Sequence, residues 1–108
     1  MNQEQFDKIL ELRIELIKAV LSKKRAEYAG NGGDRLHNFK RAAAMLGCTQ
    51  ERALIGMATK HFVSILDMVD QVEFNPSSFP SIEMIEEKLG DAINYYILLE
   101  AMLKERHE

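Results

Sequence analysis

Residues 81–104, SIEMIEEKLGDAINYYILLEAMLK, decide the fold. Ile82, Ile85, Leu89, Ala92, Tyr96, Leu99 and Leu103 recur at alternating steps of three and four, the signature of an amphipathic helix. Ser81 stands where an N-cap belongs, and Glu83 and Glu86 suit the positive end of the helix dipole. Beside the apolar stripe run Glu87, Asp91 and Asn94, and the same line turns apolar at Leu98. A row that faces only solvent has no reason to change character in this way. Two carboxylates one turn apart can share a hard cation such as Mg²⁺, which takes oxygen ligands and keeps several waters. A polar flank without a ligand accounts for the spacing equally well, because acidic pairs at i, i+4 are common on helices.

Working outward, Phe74-Asn75-Pro76-Ser77-Ser78-Phe79-Pro80 reads as a loop, its prolines blocking helix and central strand alike. Before it, a third helix runs from the N-cap Thr49, with Glu51 in its first turn, to about Gln71. Leu54, Ala58, Ile65 and Met68 line its apolar side, and His61 falls among them. Next to that line lies a mixed row of Met57, Lys60, Ser64 and Asp67. His61 is either a satisfied core histidine or a ligand-facing one. Lys60 either snorkels to water or holds an anion, for which a phosphate shared with the acidic row is the natural candidate. Asp67 and Asp70 read as the wet end of the helix.

Further back, a short helix spans about Arg35 to Leu46 and is closed by Gly47. A long first helix covers about Asn2 to Tyr28, with Phe6, Ile9, Leu10, Leu16, Ile17, Val20 and Leu21 at helical spacing. Gly30-Asn31-Gly32-Gly33-Asp34 ends it. These glycines either reverse the chain or let backbone N–H groups approach a ligand. They are not a P-loop, having neither its Gly-Lys-Ser/Thr ending nor a preceding strand. Lys24, Glu27, Tyr28 and Asn38-Phe39 cluster around this turn; Tyr28 either packs or stacks on a base. No stretch alternates with period two, so the expectation is one all-α domain over residues 1–108. Its architecture is an antiparallel bundle of three long helices and one short. A first helix about 40 Å long leaves more apolar surface than a small monomer covers, which predicts a homo-oligomer.

The 108 residues are 46% apolar and 29% charged, which is ordinary for a folded chain outside the membrane. No run of about 18 apolar residues exists for a membrane span, and MNQEQFDKIL lacks the layout of a secretion signal. A lone Cys48 allows no internal disulfide and reads as a small structural residue, so the expected compartment is the cytoplasm. With a net charge of −3 and one short basic run, Lys23-Lys24-Arg25, duplex nucleic acid is not an expected partner. That run is either a solvated face or a contact for the phosphates of a small ligand.

Three ordered blocks resemble small bacteriophage and prophage proteins. The first is Lys24-Arg25-Ala26-Glu27-Tyr28-Ala29, a glycine-rich turn, then Asn38-Phe39 and Ala42. The second is Met57-Ala58-Thr59-Lys60-His61 with Ser64-Ile65. The third is Ile85-Glu86-Glu87-Lys88-Leu89-Gly90-Asp91-Ala92-Ile93-Asn94-Tyr95, which is also similar to the Glu-Glu-Leu-Gly-Asp helix of MazG-like all-α nucleoside triphosphate pyrophosphatases. The resemblance implies an oligomeric helical bundle in which acidic side chains hold Mg²⁺ at a triphosphate while water releases pyrophosphate. Carried over, Glu87 and Asp91 become metal-ligand candidates, Lys60 a phosphate contact, and Asn94 and Tyr95 walls of the pocket.

Two departures stand out. The Glu-Glu-x-x-Glu motif of catalytic members is missing from the earlier helices, with Glu27 as one stand-in metal ligand. Lys88 takes the place of the second glutamate in the last motif. Both bear on hydrolysis more than on binding. Three functions therefore stay open. The chain is a Mg²⁺-dependent pyrophosphohydrolase of nucleotides. Or it is a phage protein that sequesters a nucleotide or nucleotide-derived host defence signal through Lys24, Tyr28, Asn38, Lys60, His61, Asn94 and Tyr95. Or it is an inhibitor that binds a host protein.

Overall fold

The computed structural model describes residues 1–23 and 33–108, and the protein is all-α. Helix α1 spans Gln3–Lys23, α2 His37–Leu46, α3 Gln50–Phe74 and α4 Ile82–Glu105. The chain divides into two units, Met1–Arg35 and Leu36–Glu108. The expected continuation of the first helix to Tyr28, the glycine run up to Gly32, and the candidates Lys24, Glu27 and Tyr28 lie outside the described residues.

The first unit is built on α1. Its start is fixed by a reciprocal capping box: Gln5 N donates to Asn2 Oδ1 at 2.9 Å, and Asn2 N donates to Gln5 Oε1 at 2.8 Å. Phe6, Ile9 and Leu10 are exposed, while Leu16, Ile17 and Leu21 are half-buried.

The second unit is built on α2, α3 and α4. Gly47 ends α2 with φ of +68°, a left-handed conformation that glycine adopts without strain, and Cys48 N donates back to Ala43 O at 3.0 Å. Thr49 then caps α3, accepting from Arg52 N at 3.1 Å, and Ser81 caps α4, accepting from Met84 N at 3.1 Å. α3 runs on to Phe74, past the expected end at Gln71, because Val72, Glu73 and Phe74 carry no breaker. Asn75 N closes the last turn onto Gln71 O at 2.9 Å. The Gln71 side chain ties down the following loop through Ser78 O and Ser78 Oγ.

α3 and α4 pack antiparallel, as their cross-links require. Arg106 grips Glu51 with two hydrogen bonds of 2.7 and 2.8 Å, so the end of α4 lies beside the start of α3. Glu105 adds Lys40 of α2 at 3.0 Å and Gln50 of α3 at 3.4 Å. Leu36, Phe39, Leu54 and Met102 form the core, with Ile55, Tyr95, Leu98 and Leu99 packed against it.

This core corrects the expected buried stripe of α4. Ala92 of that stripe is buried, but Ile82 is 70%, Tyr96 57% and Leu103 50% exposed. The face turned toward α2 and α3 is the neighbouring row that ends in Leu98 and Met102. From Gly90 onward α4 is apolar over more than half its circumference, and within this unit α2 and α3 pack on one side of it.

The Arg106 guanidinium holds the Glu51 carboxyl down to about 2, from an ordinary value near 4.5. A carboxyl depressed by folding stabilises the fold above its unfolded pKa, and that contribution is lost as pH falls from about 4.5 to about 2. Glu51→Gln should therefore lower the urea midpoint at neutral pH, and the variant and wild-type midpoints should converge near pH 2. Denaturant titrations across that range check this.

Candidate functional site

Asp91, Asn94, Tyr95 and Leu98 stand at i, i+3, i+4 and i+7 and share one side of α4. Leu98 and Tyr95 pack toward the core, which fixes the rotation of the helix and brings the polar members of the row against α3. His61, on the inner line of α3, meets them. Its Nδ1 lies 3.4 Å from Asp91 Oδ2, and its ring sits 5.2 Å from that of Tyr95 at a tilt of 36°. The two groups lie within ion-pair distance but form no direct hydrogen bond, so what joins them is their placement on the facing helices. Burial first, and the Asp91 charge second, push the Tyr95 phenol above its ordinary value of 10.0, so it stays a neutral donor.

Asn94 adds a group with unmet bonding capacity. Its Oδ1 is buried and has no hydrogen-bond partner among the described residues. A buried polar atom left unpaired costs about 1–3 kcal/mol and calls for an explanation, a bound molecule being one; Gln50 Oε1, at the start of α3, is in the same condition. Replacing Asn94 with an apolar side chain of similar size removes that cost. Asn94→Leu should leave stability unchanged or raise it by about 1 kcal/mol, while weakening whatever the site binds. Thermal unfolding and ligand titration of the same variant check the two halves.

The remaining candidates are placed differently. Lys60 and Glu87 are exposed and enter no hydrogen bond or ion pair among the described residues. Asn38 is exposed in the first turn of α2, and Asp67 and Asp70 are exposed on α3, as a wet helix end should be. Cys48 is a half-buried free thiol. Among the described residues, no group of three or more His, Cys, Asp or Glu side chains converges as a metal site. The carboxylates of α4 on the side of this site are Asp91 and, one turn earlier, Glu87. Such a pair fits Mg²⁺ only together with phosphate oxygens and water, which is how this ion is commonly held at nucleotides.

Asp91 and Asn94 stood in one row with Glu87 in the sequence, and His61 and Tyr95 were candidates apart from it; the structure brings His61, Asp91 and Tyr95 together. The pairing of His61 with Asp91 in particular was not anticipated. The signal was present in the antiparallel register: with Glu51 opposite Arg106, residue 61 of α3 must fall opposite the middle of α4. Set against protein-family models, curated proteins and solved structures, the chain matches none.

Proposed function

We propose that this is a phage-type, MazG-like nucleotide-handling protein of the bacterial cytoplasm, and that it binds a nucleotide or nucleotide-derived small molecule at the α3–α4 junction. The observation that carries the reading is the His61–Asp91–Tyr95 contact beside the unpaired amide of Asn94. An imidazole and a phenol ring offer a stacking surface and donors. The Asp91 carboxylate beside the imidazole can accept further hydrogen bonds, and the buried Asn94 Oδ1 can accept one from a base or sugar edge. Lys60 stands one residue from His61 on the outer side of α3, where a long side chain can swing onto a phosphate. Sequestration of the ligand is favoured over its cleavage. Lys88 replaces an acidic residue of the hydrolytic motif, and the described carboxylates are fewer than that chemistry uses.

Hydrolysis of a nucleoside triphosphate to release pyrophosphate is the second reading, favoured by the one-turn spacing of Glu87 and Asp91. In it these two residues hold Mg²⁺ against the phosphates. The bound ion supplies Lewis-acid stabilisation of the phosphoryl charge. Asn94 and Tyr95 then keep the base in place.

The test is to incubate the purified chain with the common ribo- and deoxynucleoside triphosphates plus Mg²⁺ or Mn²⁺, measuring both binding heat and pyrophosphate. Binding without pyrophosphate is the expected result. Pyrophosphate release that Asp91→Ala abolishes selects the hydrolase reading. Neither binding nor release leaves the chain as an inhibitor of a host protein.

A further inference from the structure

The end of the α3–α4 pair that carries the connecting loop holds a groove of about 600 Å³, walled by Met68, Val69 and Val72 of α3, Phe79 of the loop and Ile85 of α4. Glu73 is the charged residue that lines it. Val69 is 53% and Phe79 69% exposed. Leu66, Phe74 and Ile82, each within one helical turn of a lining residue along the chain, are exposed as well. Apolar surface of this kind, edged by charge, marks a place where another molecule sits. The charge is of one sign. From Phe62 to Glu87 the chain carries Asp67, Asp70, Glu73, Glu83, Glu86 and Glu87, and no Lys, Arg or His. Asp67, Asp70, Glu73, Glu83 and Glu87 enter no ion pair among the described residues. Lys88, the first cation along α4, is half-buried and is not one of the groove's walls.

We propose that this groove docks a basic amphipathic helix of a partner protein. Charge fixes the sign of the occupant. Carboxylates with no cation of their own attract Lys and Arg beside an apolar stripe, and they repel anionic membrane surfaces and nucleic acid backbones. Two copies of the chain paired through this face would set the same carboxylates against one another. The walls fix its form. They are mainly helices whose backbone groups are bonded internally, so an extended segment finds no strand edge to join, whereas a helix can lay its apolar face between them. The length of the wall fixes the repeat. From Leu66 to Glu73 α3 advances about 10 Å at 1.5 Å per residue, two turns, which matches apolar residues at i, i+3, i+4 and i+7 of the incoming helix.

The chain's own α1 does not have this chemistry. Gln3–Lys23 carries Glu4, Asp7, Glu11 and Glu15 against Lys8, Arg13, Lys18 and Lys23, an even balance of the two signs. Lys8 is moreover already held by Glu4 at 3.6 Å. The inference goes beyond the nucleotide reading and stands apart from it. Val69 lies about 12 Å beyond His61 along α3 at 1.5 Å per residue, and none of His61, Asp91, Asn94 and Tyr95 lines the groove.

The test is fluorescence anisotropy of a labelled leucine–lysine peptide of about five helical turns, leucines at i, i+3, i+4 and i+7 and lysines elsewhere, titrated with the full chain. Two control peptides accompany it: the same pattern with glutamate for lysine, and a lysine–glycine–serine peptide of equal charge with no apolar face. The leucine–lysine peptide should bind saturably, one per chain, and more weakly as salt is added, while neither control binds over the same range. Val69→Asp keeps the sign of the surface and removes an apolar wall; Glu73→Lys keeps the walls and reverses the charge that lines them. Each should weaken binding by about tenfold or more, with helicity by circular dichroism unchanged, and Phe79→Ser serves if Val69→Asp does not fold. Absence of binding overturns the proposal and leaves the groove to another part of this chain or to a second copy. Equal binding of the lysine–glycine–serine peptide overturns it as well, as does leucine–lysine binding that neither Glu73→Lys nor the apolar-wall variant alters.

Discussion

Met102→Ala should lower the unfolding free energy by about 3 kcal/mol, within the range of about 2–5 kcal/mol for emptying a buried large apolar site. Met102 is fully buried and Leu54 is 1% exposed, and both belong to the same small core as Leu36 and Phe39. A core of so few large side chains has little material with which to refill a hole. The cavity term therefore adds to the lost transfer energy. Leu54→Ala should cost a similar amount. The neighbouring Leu103→Ala removes the same kind of group from a half-exposed position. It should change stability by less than about 1 kcal/mol. Urea unfolding of the three variants checks which row of α4 is the core. Equal losses at positions 102 and 103 would contradict the packing described above.

Asp91→Ala should weaken nucleotide binding by at least about tenfold while leaving the fold nearly intact. A charge-assisted or ligand-orienting contact is worth about 1.5–3 kcal/mol, and about 1.4 kcal/mol is tenfold in affinity. The stability side is small because the Asp91 carboxylate is 43% exposed and its pairing with His61 is partly solvated. Such pairs contribute about 0–1 kcal/mol to folding. His61→Phe keeps a ring against Tyr95 but removes both nitrogens, so it should reproduce the binding loss with stability preserved. If Asp91→Asn instead costs as much stability as Met102→Ala, the residue is structural and the site must be sought elsewhere.

Much of the fold was legible from local chemistry. Thr49, Ser81 and Gly47 act where their side chains or missing side chain require, because caps and left-handed turns are decided within a few residues. The Asn2–Gln5 capping box was equally readable from its spacing. The rotation of α4 was not. Periodicity identified an apolar stripe with a regular seven-residue repeat, but α4 carries two adjacent apolar rows after Gly90. Local sequence cannot say which row its own chain covers. That choice is made by α2 and by the register of α3, fixed at long range by the Glu51–Arg106 and Glu105–Lys40 links. The same limit applied at the site. Glu87, Asp91 and Asn94 were visible as a row and Tyr95 came only from the resemblance, whereas His61 became a neighbour of Asp91 and Tyr95 only through that register. Lys60 and Glu87 were read onto the same inner face and both are exposed; Lys60 is turned about 100° from His61 by its one-residue offset, whereas Glu87 shares the side of Asp91 but lies one turn nearer the start of α4.

Nucleotide binding at the α3–α4 junction around His61, Asp91, Asn94 and Tyr95 is checked by following the amide and imidazole resonances of the full chain by NMR while adding nucleoside triphosphates with Mg²⁺. Saturable shifts concentrated at His61, Asp91, Asn94 and Tyr95 are expected, and they should disappear in Asp91→Ala. Saturable shifts confined to other parts of the chain, or none with any nucleotide, would rule this site out.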